Sequence, residues 1–353
     1  MHTREIYVLK KTKLKLLDLE RKILIFKQYL KNLLRSKTNP IIWESAANLV
    51  KEKRVKQFSE KLDLRRSSEN VYVIRRRPPG AGLFANVNHV LQGILRAEQL
   101  NLTPVVDAKN YWTLYNKPFK ISNSYNSWNY FFESLSYFDI DNIPKNSIIS
   151  FSSGDRILEK HWLCDNSVSF MQDKNKIYEL RDIVSSKIRL NEYCVNLLND
   201  VKELINWDPI KTLGVSCRGA EYIEMRPKGH SVQPSVESVI FAMRSELLSF
   251  NYQKILLCSE DADYRKVIIN EFGNKIHQNF RHSKAFKEIL VKNIPGFKVS
   301  DKNLITTFGY LIETYLLSET YNCVASMANG SSFAFLLNSN KYANPKIFNL
   351  GVY

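Results

Sequence analysis

The first 79 residues contain no glycine, and the whole 353-residue chain has only 12. Sharp backbone turns that need a left-handed residue are therefore confined to a few places. Cysteine is also sparse. Cys164, Cys194, Cys217, Cys258 and Cys323 stand singly, with no Cys-x-x-Cys pair, which excludes a zinc-ribbon or thioredoxin-type site. Their odd count and wide spacing point to reduced thiols in a reducing compartment. No uninterrupted apolar run reaches the length of a membrane-spanning helix. The early apolar residues are broken by Lys10, Lys11, Lys13, Lys15 and Asp18, so no secretory signal is legible. Nothing repeats at a fixed period, which excludes solenoids and propellers. A cytoplasmic protein is expected.

Basic charge is plentiful, with 51 Lys and Arg against 35 Asp and Glu and a net charge of +16. An anionic partner is implied: nucleic acid, an anionic membrane surface or a phosphorylated substrate. The excess is lopsided. Residues 1–70 carry 18 cations and 8 acids, a net of +10, and the other 283 residues share the remaining +6. Within this segment Leu14, Leu17, Ile23, Leu24, Phe26, Leu30 and Leu33 recur at helical spacing between lysines, so residues 1–70 read as a basic helical extension. Such a helix fits the inner face of an anionic membrane, and fits equally well packing on its own protein. No signature of a nucleic-acid-binding module occurs, so no specific nucleic-acid partner is expected.

After residue 70 the pattern changes. Val71–Ile74 is a short β-branched and aromatic run, followed by a glycine loop, a helical pattern through Leu100 and a second strand ending at Val106. That is the strand–helix–strand grammar of a parallel sheet. Residues 111–170, rich in aromatics, Asn and Ser, read as irregular connections. A second alternating block starts near residue 210. Strands are expected at 212–217, 254–261 (ending in acids) and 321–327, with helices beginning at Pro234-Ser235, after Asp261, near Leu304 and at the last serine pair. The fold class is α/β, with two Rossmann-like domains facing a cleft. The expected division is 1–70, 71–207 and 208–353.

Three expected strand ends of the second block carry polar groups. The first runs into Cys217-Arg218-Gly219-Ala220-Glu221, the second into Ser259-Glu260-Asp261, and the third into Ser326 and then Asn329-Gly330-Ser331-Ser332. In open parallel sheets ligands lie beyond the carboxyl ends of strands, so these groups should converge. Ser331 and Ser332 begin a helix, where free N–H groups and the helix dipole favour an anion. Arg218 is permanently charged and forks onto phosphate oxygens. Together they read as a site for a nucleoside diphosphate. An acceptor group would also need a base, for which Glu221, His230 and His89 are the candidates.

The stretch "GVSCRGAEY" resembles the arginine motif of the fucosyltransferase superfamily, and "PPGAGLFANVNHVLQGILRAEQLNLTPVVD" resembles that superfamily's first glycine loop and following helix. The resemblance covers about residues 71–110 and 210–340. Ser216 stands where the motif has histidine, and Glu221 where aspartate is usual. The resemblance implies a GT-B-type arrangement and metal-independent, inverting transfer of fucose from GDP-fucose to a glycan or lipid-linked glycan, as in surface polysaccharide synthesis. Carried over, it implies that Arg218 binds the donor's β-phosphate; with the base candidates, the expected catalytic group is Arg218, Glu221 and His230. It also implies that Asp261 sits in the nucleotide subsite and Ser331 and Ser332 near the diphosphate; the expected donor contacts are these with Gly80, Gly82, Asn86, His89 and Ser326. No cofactor or metal is implied.

Overall fold

A computed structural model of the protein describes residues 70–75, 82–110, 113–144, 147–152, 174–218, 220–226, 230–277, 280–338 and 342–353. The helical reading of residues 1–69 and the loop glycine Gly80 lie outside this set, as do the side chains of residues 174–179 and 220–222.

Two sheets form, and every pairing within them is parallel. In the first sheet β1 (Val71–Ile74) lies between β2 (Thr103–Val106) and β3 (Ile149–Phe151). Helix α1 (Leu83–Gln99) makes the crossover from β1 to β2. Its Leu83, Val87, Val90, Leu91 and Ile94 are buried, the apolar stripe expected from their spacing. Gly93 lets α1 lie close on the sheet, since a Cβ there would come within 2.6–2.7 Å of the Ile74 side chain. Strand β3 falls in the stretch expected to be irregular. At three residues it is too short for alternation to register.

The second sheet has the order β5-β4-β6-β7, from β4 (Thr212–Ser216), β5 (Lys254–Cys258), β6 (Asn322–Ser326) and β7 (Lys346–Phe348). Around the sheets lie α2 (Lys174–Lys187), α3 (Glu192–Leu204), α4 (Ala220–Met225), α5 (Val236–Ser249), α6 (Ala262–Phe272), α7 (Lys284–Asn293), α8 (Lys302–Glu319) and α9 (Asn329–Leu337). Five of these start on a residue whose side chain accepts a first-turn N–H: Asn191, Ser235, Asp261, Ser283 and Asp301. The start of α5 agrees with the Pro234-Ser235 signal. Helix α7 and strand β7 were not anticipated.

Burial explains why the inner strands read as continuous apolar runs. Leu256 and Cys258 of β5 face one apolar cluster, while Ile255 and Leu257 face another on the opposite side of the sheet. The larger cluster continues from the second sheet through α8 and α9 to α1 and the first sheet. Phe84 of α1 forms the joint, edge-on to Tyr310 of α8 at 5.0 Å and tilted against Phe333 of α9 at 5.1 Å. Each such side chain contributes about 1.5–3 kcal/mol when fully buried. Among the described residues, no helix is long and apolar enough to cross a membrane.

Two buried polar features generate predictions. Arg281, before α7, forms an ion pair with Glu313 of α8, and the two side chains are only 4% and 3% exposed. Gly309 leaves room for the Arg281 stem across α8. Burial disfavours the charge on Arg281, but the Glu313 carboxylate holds its pKa above the ordinary value. Glu313→Ala is therefore expected to destabilise by about 3–5 kcal/mol, because it strands a buried cation. The double variant Arg281→Met, Glu313→Leu should recover most of that loss in urea unfolding.

His277 lies beside the edge strand β5, with its N–H on the Ile255 carbonyl at 2.9 Å and its ring 5.8 Å from that of Trp207. Burial, followed by the Lys254 charge, pushes its pKa down to about 4. The unfolded chain takes up that proton near pH 6.5, so between pH 6.5 and about 4 the unfolded state binds more protons. Stability should therefore fall as pH drops through this window. The full shift corresponds to about 3 kcal/mol, reduced to roughly 1–2 by partial solvation. His277→Gln should flatten that part of the pH–stability curve, as measured by urea midpoints.

Candidate functional site

The register of the second sheet brings three chain segments to one edge. Ser216, the last residue of β4, pairs with Cys258 of β5 on one side and Ala325 of β6 on the other. Arg218, two residues beyond Ser216, therefore lies between the Ser259–Asp261 segment and the Met327–Asn329 segment. It is half-buried. Burial pushes the neighbouring Cys217 thiol up to about 12, so it stays protonated and offers no nucleophile.

Helix α9 begins beside this point. Its cap residue, Ala328, has no side-chain oxygen to accept the first-turn N–H groups, unlike the five capped helices. Ser331 is committed to the turn itself: its Oγ accepts from the Ala328 N–H at 3.1 Å and lies 2.5 Å from the Ser326 carbonyl. Ser326 and Ser332, each 2% exposed, join Ser331 in lining a cavity of about 10 Å³ behind β6. That space holds one water at most. The first turn of α9 thus presents backbone N–H groups at the edge, with the serine hydroxyls turned inward.

Tyr310 of α8 completes this corner. A Cβ at Gly330 would collide with the Tyr310 hydroxyl, so only glycine lets the ring and the start of α9 meet. Burial pushes Tyr310 up to about 12 against the pull of the Arg218 charge. Tyr310 therefore lies against the amino end of α9 and feels the charges of both Arg218 and Glu260. Sequence reasoning missed Tyr310 because it falls on the apolar stripe of a long helix, where an aromatic reads as core.

The remaining expected residues divide. Asp261 is the cap of α6, its Oδ1 accepting from the N–H groups of Asp263 and Tyr264 at 2.9 Å each. Arg265, unremarked in the sequence, donates to the Leu257 and Ser259 carbonyls at 3.1 and 3.2 Å and fixes the end of β5. Glu221 has its backbone in α4, just past Arg218, and its side chain lies outside the described residues. His230 is exposed, on a segment that Gln233 ties to the Met327 carbonyl at 3.2 Å. Gly82 is the residue before α1 and faces open space.

Asn86 and His89 line a different cavity, at the carboxyl end of the first sheet. There Arg75, Asp107 and Ser152 follow β1, β2 and β3. The Arg75 N–H donates to Ser152 Oγ at 2.8 Å, and His89 Nε2 lies 3.1 Å from the Arg75 carbonyl, which fixes the proton on Nε2. The two regions meet through α1, where Asn88 Nδ2 donates to Asn329 Oδ1 at 3.0 Å.

No protein-family model matches the chain, and no curated protein matches it. Among solved structures, it is similar to NodZ alpha-1,6-fucosyltransferase soaked with GDP-fucose, at 14% identity and a TM-score of 0.43, over 78% of this chain and 98% of that one. It is also similar to fucosyltransferase NodZ from Bradyrhizobium, at 16% identity and a TM-score of 0.43, over 77% and 94% of the two chains. A third similar structure is a mutant of Arabidopsis thaliana FUT1 in complex with GDP, at 12% identity and a TM-score of 0.41, covering 91% of this chain and 76% of the other.

Proposed function

We propose that the protein is a glycosyltransferase that moves a sugar from a nucleoside-diphosphate donor to a hydroxyl of a glycan or lipid-linked glycan. The observation that supports this most directly is Arg218, beyond the inner strand β4 and beside the amino end of α9, whose cap residue Ala328 offers no side-chain acceptor. A bidentate guanidinium and converging N–H groups match a diphosphate in charge and shape.

The chemistry follows from that match. The acceptor oxygen attacks the anomeric carbon, the bond to the diphosphate breaks, and its electron pair leaves on a phosphate oxygen. Negative charge grows there in the transition state, where prepositioned donors act most strongly. The acceptor proton passes to a base, for which Glu221 and His230 are nearest in sequence to Arg218. The donor would lie on the second sheet and the acceptor on the first, in a GT-B-type layout with borders near 70 and 207. The arginine motif and first glycine loop, which resemble those of fucosyltransferases, make GDP-fucose the first donor to try. The basic segment 1–70 would hold the enzyme at the inner face of an anionic membrane. Arg218 and the helix dipole supply positive charge without a metal.

A thermal-shift panel of GDP, UDP, ADP and CMP, with and without EDTA, tests this reading. One nucleotide, GDP first, should stabilise the protein by about 2.7 kcal/mol at a hundredfold excess over its Kd, whether or not EDTA is present. Arg218→Ala should abolish the response and lower donor turnover by about a hundredfold or more, while Arg218→Lys should recover only part because the fork is lost. No response to any nucleotide, or full activity in Arg218→Ala, would contradict the proposal. A response that vanishes in EDTA would contradict its metal-free part.

A further inference from the structure

The cavity at the carboxyl end of the first sheet has a chemistry unlike that of the Arg218 corner. Asp107 is 1% exposed, and its two oxygens are used differently. Oδ1 accepts from the Asn110 backbone N–H at 2.9 Å and from Asn110 Nδ2 at 3.0 Å. Oδ2 is equally buried and has no hydrogen-bond partner among the described residues, and Asp107 is part of the cavity wall. A buried carboxylate oxygen left unsatisfied is costly, so a ligand that donates a hydrogen to it recovers that cost.

The surroundings fix what such a ligand must be. Arg75 is buried beside Asp107 and stacks on Phe151 at 3.8 Å from the ring centroid, and its charge opposes the rise that burial causes in the Asp107 pKa. The carboxylate repels an anion and the guanidinium repels a cation, so the pair suits an uncharged guest. Much of the wall is apolar, with Val90 and the Trp128 and Phe132 rings, which pack 4.5 Å apart. Asn86 and His89 add polar edges. The volume is about 40 Å³. That equals roughly three water sites, or the heavy atoms of one hydroxymethyl arm. The wall is preorganised, since Asn126 holds both Val106 and Ala108 on either side of Asp107, at 2.7 and 3.1 Å.

We propose that this cavity receives a hydroxymethyl arm of a neutral carbohydrate, with Asp107 Oδ2 accepting the hydroxyl hydrogen and the apolar wall covering the carbon. On the glycosyltransferase reading, on which this identification rests, the carbohydrate is the acceptor. Helix α1 then serves both ligands: Asn86, His89 and Val90 face the cavity, while Phe84 and Asn88 reach α8 and α9.

The test is ligand-observed NMR of the full chain with methyl β-D-glucopyranoside, with methyl β-D-xylopyranoside, which lacks the arm, and with inorganic phosphate and methylammonium. Saturable binding is expected for the glucoside, at least tenfold weaker binding for the xyloside, and none for either ion at the same site. Asp107→Asn turns the acceptor oxygen into a donor and should weaken glucoside binding at least tenfold. Val90→Leu, which fills the cavity and keeps Asp107, should do the same and carries the test should Asp107→Asn misfold. The nucleotide-induced thermal shift should be unchanged in both variants. No glucoside binding to the wild type, equal binding of the xyloside, or glucoside binding unaffected by either variant would overturn the proposal. Glucoside binding without any nucleotide response would instead leave the cavity standing and remove the transferase reading.

Discussion

The arrangement of both sites depends on how α1 docks against α8 and α9. Phe84 packs between Tyr310 and Phe333, and Asn88 is bonded to Asn329 at the start of α9. This contact couples the two sheets through a single apolar cluster. Close packing tolerates little adjustment, so the contact sets the spacing between the Asp107 cavity and the Arg218 corner. Two ligands that must react need such a fixed spacing, because small displacements at the reacting atoms are costly.

Electrostatics divide the molecule along the same line. At the edge of the second sheet Arg218 and the α9 dipole supply positive charge beside the Glu260 and Asp261 side chains. Arg281 is paired with the buried Glu313 carboxylate, and Arg265 donates to strand-end carbonyls. In the first sheet the buried Arg75 and Asp107 balance one another.

Much of this was legible in the sequence, for physical reasons. Strands buried on both faces give unbroken apolar runs, so β4, β5 and β6 stood out, and with them the position of Arg218. Helix α1 was legible from its stripe, and α5 from its Pro234-Ser235 start. Strands β3 and β7 have three residues each, too few for any period. The division of labour among polar residues was not legible. Asp261 and Ser331 were read as ligand contacts, yet each holds a helix start in the fold. Asn86 and His89 were grouped with the donor and line the other cavity. Arg75, Asp107 and Tyr310 become informative only once neighbouring strands and helices are placed, because each gains its meaning from a partner distant in the chain.

The central claim is that a diphosphate lies between Arg218 and the amino end of α9. A crystal structure with the most strongly stabilising nucleotide bound tests it most directly. The account predicts the terminal phosphate within hydrogen-bond distance of the Arg218 guanidinium and of first-turn N–H groups of α9. A phosphate bound elsewhere, with Arg218 turned to a protein carboxylate, would contradict it.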